Sequence, residues 1–283
     1  MSEETSATLK PPQPLLVADL FPVLLQRLIA LLSSLDEAQW QQPTTCDGWS
    51  VKDVALHLLG GDIGNIAYRR DGHSLWPMIS GWEQLVRFIN TWNEDWVRVT
   101  RRISNPMLVD MLQMAGQQMA TYFQSLDPFA TGGPVNWAGD DPAPVWLDVA
   151  REYTERWHHQ QHIRDAVGRP GLTEPPFLAP VLAAFARAMP RAYQEVAAPA
   201  GTMVSLKLTG PGGSRWTVRR QDGHWELFEG IAADPDASFH VDADLAWRLF
   251  TKGLRKGDVE PQVTILGDQA LAQHVYGMVA IIA

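Results

Sequence analysis

At 283 residues, with 46% apolar residues, 19% charged residues and 12 tryptophans, the chain has the composition of a globular protein with a large core, which excludes the disordered and fibrous classes and predicts two domains. Its net charge of −9 argues against nucleic acid or an anionic membrane as partner, since both require a concentrated basic surface. The single cysteine, Cys46, excludes an intramolecular disulfide and fits a reducing compartment, the cytoplasm.

Residues 1–14, MSEETSATLKPPQP, read as a disordered polar tail without the basic and then apolar order of a signal peptide. No run of about 18 apolar residues follows, so a soluble, unprocessed protein is expected. Leu15 to Leu35 is apolar at helical spacing, with Pro22 placed to sit in the first turn or to kink it. The loop QQPTTCDGW leads into Ser50, an N-cap that Asp53 completes as a capping box, and the helix that follows carries His57. From Trp82 to Leu126 the apolar period is interrupted at Ser104 to Pro106, which predicts one bent helix or two. A stretch dense in Pro, Gly and Asp then precedes a helix from Val145 to Val167, stopped by Gly168 and Pro170. These long helices predict a four-helix bundle over 15–171, a fold that builds cofactor and metal sites from inward-facing side chains.

Past a linker near residue 172 the pattern changes. A helix is expected over Leu178 to Ala197, followed by the β-type runs VSLKLTG, RWTVRRQ, HWELFEG and ASFHVDA, which predict an antiparallel sheet. DLAWRLFTKGL and DQALAQHVYGMVAIIA read as helices flanking a short strand, VTIL, making residues 172–283 a smaller α+β domain.

The densest chemistry lies in Arg151 to Gly168, REYTERWHHQQHIRDAVG. Glu155 and His159 are four apart and share a helix face, and His162 lies on that side too. His158 and His162 form a second such pair, displaced by about 100°. Two imidazoles and a carboxylate leave an open position on Zn²⁺ and also suit Fe(II), so ligand type does not choose the metal. A polar helix face that binds nothing is the alternative at this point.

The segment TTCDGWSVKDVALHLLG and the later ERWHHQQHIRDAVGRP together resemble the N-terminal bundle of mycothiol-dependent maleylpyruvate isomerases, part of the wider DinB-like group. The run from Val204 to Ala283, with TGPGGSRWTV and ILGDQALAQHVYG, is similar to that family's sterol-carrier-like α+β domain. The resemblance implies a DinB-like four-helix bundle joined to a sterol-carrier-like domain, with metal ligands His57, Glu155 and His159. It implies a divalent metal, Zn first and Ni or Fe as alternatives, a low-molecular-weight thiol such as mycothiol, and a small carboxylated or electrophilic substrate. The expected activity is that of a metal- and thiol-dependent isomerase or transferase, in which the metal stabilises the nucleophilic thiolate. Where relatives carry an acidic residue three positions after the ligand histidine, this chain has His162, a candidate for orienting the site from outside the ligand set. Arg255, in KGLRKGD, is the candidate for gripping a substrate carboxylate.

Other residues read as structural. Cys46 has no His or Lys beside it in sequence, Asp62 is a candidate active-site carboxylate that reads first as a solvated helix residue, and Met107, Met111, Met114 and Met119 read as bundle filling. Trp40, Trp49, Trp76, Trp82, Trp92 and Trp96 are expected to complete the core and its boundary before they line a pocket. Two other functions remain open: a non-enzymatic small-molecule binding protein and a metal-dependent hydrolase.

Overall fold

Ser50 starts the helix on which the site depends. Its hydroxyl accepts from the Asp53 backbone N–H while the Asp53 carboxylate accepts from the Ser50 N–H, a reciprocal cap that sets the phase of α3 (Val51–Asn65). The computed structural model describes residues 9–75, 77–139 and 141–281; Trp76 and the first eight residues of the expected tail lie outside them. Contacts divide the chain into two units. One is helical, Leu16–Phe129 with Glu152–Leu172; the other comprises the described residues up to Leu15, Ala130–Arg151 and 173–281.

In the helical unit, α1 (Phe21–Ser33) carries Pro22 in its first turn, where the missing N–H costs nothing. The short α2 (Glu37–Trp40), held by an Asp36 capping box, has no counterpart in the periodicity because four residues are too few to show one. The expected interruption at Ser104 separates two helices, α4 (Trp82–Thr100) and α5 (Asn105–Ser125), and Pro106 sits in the first turn of the second. Helix α5 packs on α1 and α3, and α4 packs on α3. The last helix, α6 (Val145–Ala166), belongs to this unit from Glu152 onward and donates from Gln160 to the Leu24 carbonyl of α1. Leu28, Leu32, Val54, Leu58, Leu112 and Ile163 belong to one buried cluster. Trp96 donates to the Leu56 carbonyl at 2.8 Å, and a Cβ on Gly60 would stand 2.6 Å from its indole nitrogen, so this glycine is what lets α4 approach the helix bearing His57. Among the described residues, no helix is long and apolar enough to cross a membrane.

The second unit is α+β. Its strands β1 (Met203–Thr209), β2 (Arg215–Arg220), β3 (Trp225–Glu229), β4 (Ala237–Asp242) and β5 (Thr264–Gly267) form one sheet in the order β3-β2-β1-β4-β5. The first three make the expected antiparallel meander, but β4 pairs with β1 in parallel, so the sheet is mixed and not antiparallel throughout. The turn signals between neighbouring runs report hairpins only; the crossover that carries the chain from β3 past β2 and β1 to the far side of β1 leaves no local mark. The helix expected at 178 begins earlier, as α7 (Pro175–Ala186), because prolines are tolerated in a first turn, and it breaks before the short α8 (Met189–Ala192). After β4 come α9 (Ala243–Phe250), α10 (Lys256–Val259) and α11 (Gln269–Ala272). The N-terminal segment is tied to this unit: Lys10 exchanges two backbone hydrogen bonds with Glu229 at the sheet edge, so order begins before residue 14.

The α3 cap also carries a charge pair. Asp53 is 7% exposed, and Arg101 donates to both of its oxygens at 2.8 and 3.2 Å. Burial acts to raise this carboxyl, but the hydrogen bonds from Arg101 and Ser50 prevail and lower it. A carboxyl lowered by folding adds stability that is complete above the unfolded aspartate value and is lost as pH falls through the folded one. Asp53→Ala is therefore expected to cost about 2 kcal/mol in urea unfolding between pH 5 and 8. The gap from the parent should close below about pH 4. A gap that stays constant down to pH 3 would rule out the ionised carboxylate as its source.

Candidate metal centre

Helices α3 and α6 face each other through polar side chains at one level of the helical unit. His57 Nε2 lies 3.0 Å from Glu155 Oε1, and His159 Nε2 lies 3.0 Å from the same oxygen. The i, i+4 spacing puts Glu155 and His159 on one stripe of α6, and the capped phase of α3 points His57 at them. The structure thus brings His57, Glu155 and His159 together, with one donor atom from each within 4.8 Å of the other two. The two imidazoles are nearly buried, with side chains 12% and 11% exposed, while the Glu155 side chain keeps 35%.

The electrostatics favour an anionic Glu155 beside a neutral His159. Burial acts to raise the Glu155 carboxyl, but the neighbouring His159 and the hydrogen bonds from His159 and His57 prevail, holding it well below the usual carboxylate range. Burial lowers His159, its neighbour His158 lowers it further, and Glu155 only partly compensates. Burial also lowers His158. That ring is occupied otherwise: its Nδ1 donates to the Thr154 carbonyl at 2.9 Å, the bond of a helix-bound imidazole.

The other candidates disperse. His162 turns its Nδ1 to Cys46 Sγ at 3.1 Å, and the same sulfur lies 4.0 Å from His159 Nδ1. Cys46 therefore does have imidazole neighbours, brought from more than a hundred residues away, yet burial pushes its thiol up to about 11 against a hydrogen bond from Thr44, so it is no activated nucleophile. Trp49 packs its ring 5.1 Å from that of His57 and donates to Glu94; Trp40 is core, and Trp82 and Trp92 are exposed. Met119 is buried and Met111 packs on the core, whereas Met107 and Met114 are half exposed. Arg255, in the other unit, has a side chain 90% exposed and donates to Asp258 at 3.4 Å.

Asp62 is not solvated. It is 4% exposed and takes both Nε and Nη2 of Arg156, whose Nη1 donates to Glu152 at 2.7 Å. Glu152 also accepts from Asn65 at 3.1 Å and lies 3.7 Å from Arg69. This buried ionic network locks α3 to α6 beside Glu155. An Arg next to Glu155, and an Asp one helical turn and a little beyond His57, are its traces in the sequence.

A family model described as the mycothiol maleylpyruvate isomerase N-terminal domain matches residues 21–164. Among solved structures, the mycothiol-dependent maleylpyruvate isomerase is similar to this chain with 12% identity and a TM-score of 0.53, covering 88% of this chain and 90% of that one. A histidine-to-alanine mutant of that enzyme matches with the same identity and coverage and a TM-score of 0.52, and at this identity both likenesses speak for the fold. No curated protein sequence matches. The family match spans just over half of the chain and contains His57, Glu155 and His159 together with the helices that carry them, and on that ground the chain belongs to the mycothiol maleylpyruvate isomerase, DinB-like family.

Proposed function

We propose that this protein is a metal-dependent isomerase or transferase of the maleylpyruvate isomerase type. It would use a low-molecular-weight thiol such as mycothiol and act on a small carboxylated or electrophilic substrate. The observation that carries the reading is the convergence of His57 Nε2, Glu155 Oε1 and His159 Nε2. Tetrahedral ligands at ordinary Zn–N and Zn–O lengths stand about 3.4 Å apart. The 3.0 Å separations leave the three side chains a small outward adjustment from that spacing. Two nitrogens and one oxygen suit Zn²⁺ first and Ni²⁺ or Fe²⁺ as alternatives. When bound, the cation supplies stabilisation of a thiolate at its open position, which makes the thiol a nucleophile at neutral pH.

The protein's part is to keep Glu155 anionic and His159 neutral. Glu155 supplies the single negative charge, and the buried His159 stays neutral and keeps a lone pair for binding. Trp49 covers one side of the His57 ring and limits water there. The Asp62–Arg156–Glu152 network fixes the helical register that aligns Glu155 with His57. The mixed sheet with its flanking helices supports a sterol-carrier-like reading of the second unit.

The test is elemental analysis of protein purified without chelator or metal-affinity resin, beside His57→Ala. About one equivalent of Zn, Ni or Fe, lost in the variant, is expected, together with turnover of an unsaturated carboxylic substrate that requires added thiol. Folded wild type that neither contains nor takes up metal would sink the proposal. Turnover that proceeds equally well without thiol would favour a hydrolase.

A further inference from the structure

The far edge of the His159 ring faces a second donor set. Sulfur from Cys46 and one ring nitrogen from each of His159 and His162 all lie within 4.8 Å of one another. The sulfur is 3.1 Å from His162 Nδ1 and 4.0 Å from His159 Nδ1. Tetrahedral thiolate and imidazole ligands at ordinary Zn–S and Zn–N lengths stand about 3.5 Å apart, between those two values. Cys46 is held in place by its own turn: its backbone N–H donates to Thr44 Oγ1 at 3.1 Å, that hydroxyl donates to the Trp49 carbonyl at 2.9 Å, and Gly48 at φ 76° closes the loop. His162 follows His159 by three residues on α6, so both rings lean toward the same turn.

We infer that Cys46, His159 and His162 form a second cation site, selective for a thiophilic ion such as Zn²⁺ or Cu⁺, that shares His159 with the Glu155 cluster through the opposite ring nitrogen. One sulfur and two imidazole nitrogens are a softer set than the two nitrogens and one carboxylate oxygen of the other site, so the two differ in metal preference. The site requires nothing of the first one and stands if that cluster binds no metal. With both sites filled, His159 serves as an imidazolate. Loading the second ion then releases two protons to water, one from the Cys46 thiol and one from the His159 ring, so the second ion binds more weakly than the first.

The test is titration of the full-length, metal-free protein with Co²⁺ alone, in the absence of any added thiol, following the sulfur-to-cobalt charge-transfer band in the near ultraviolet. Cys46 is the single cysteine, so such a band reports this site and no other sulfur ligand of that kind. A band that develops in a second step in the wild type, persists in His57→Ala, disappears in Cys46→Ser and needs about tenfold more Co²⁺ or greater in His162→Gln is the expected result. Retained d–d absorption in Cys46→Ser would show that this variant is folded. A band that is present while His57→Ala leaves the stoichiometry unchanged supports this site and counts against the Glu155 cluster. Absence of a band in the wild type overturns the inference. So does a band lost in His57→Ala and untouched by His162→Gln, which would put the sulfur on the ion of the first cluster.

Discussion

Arg156→Met is expected to destabilise the protein by about 3–5 kcal/mol, the largest effect of any single substitution considered for this chain. The guanidinium is in contact with both Asp62 and Glu152, whose side chains are 6% and 5% exposed. Removing it takes away the guanidinium between two buried carboxylates on α3 and α6, while Glu152 keeps its contacts with Arg69 and Asn65. Burial already raises the Asp62 carboxyl against the opposing attraction of Arg156, and without that attraction it rises further. A carboxyl raised by folding adds stability at low pH and loses it as pH rises through the folded value. The variant should therefore be closer to the parent at pH 5 than at pH 8 in chemical unfolding. Asp62→Asn combined with Arg156→Met should recover part of the loss by removing one of the stranded charges. Unfolding midpoints of the parent and Arg156→Met that coincide at pH 8 would show that the network contributes no stability.

Glu155→Gln should weaken metal binding by at least about 100-fold, beyond the 10- to 100-fold typical of residues that only orient a ligand. The amide keeps the shape and one acceptor but removes the only negative charge of the donor set. Folding holds this carboxyl low, so its loss should also lower the stability of the metal-free protein at neutral pH, and affinity is therefore compared on folded protein. His158→Ala is the control: its ring is bonded to the Thr154 carbonyl, so its loss should cost stability while leaving the metal stoichiometry at its parental value. Competition against a chromophoric chelator distinguishes the two variants. Equal affinity in Glu155→Gln and the parent would remove Glu155 from the proposed ligand set.

Local order was written locally. The Ser50 and Asp53 box, Pro22 and Pro106 in first turns, the break at Ser104 and the left-handed Gly168 mark helix ends through hydrogen bonds and torsions reaching only a few residues, so chain order alone reveals them. The i, i+4 relation of Glu155 to His159 is of the same kind, and the approach of His57 follows once two well-phased helices share a unit. What lay beyond reach of the sequence depends on which buried faces choose each other. Apolar periodicity says that a face is covered and is silent about its partner. Hence Asp62 reads as solvated until Arg156 is brought against it, Cys46 reads as isolated until His162 arrives from 116 residues away, and β4 looks like one more hairpin strand until it pairs in parallel with β1. Spacing alone determined that α6 presents a carboxylate and imidazoles on neighbouring faces. Packing decided which ring nitrogen meets which partner, because those distances are set by how helices far apart in sequence fit side chain to side chain.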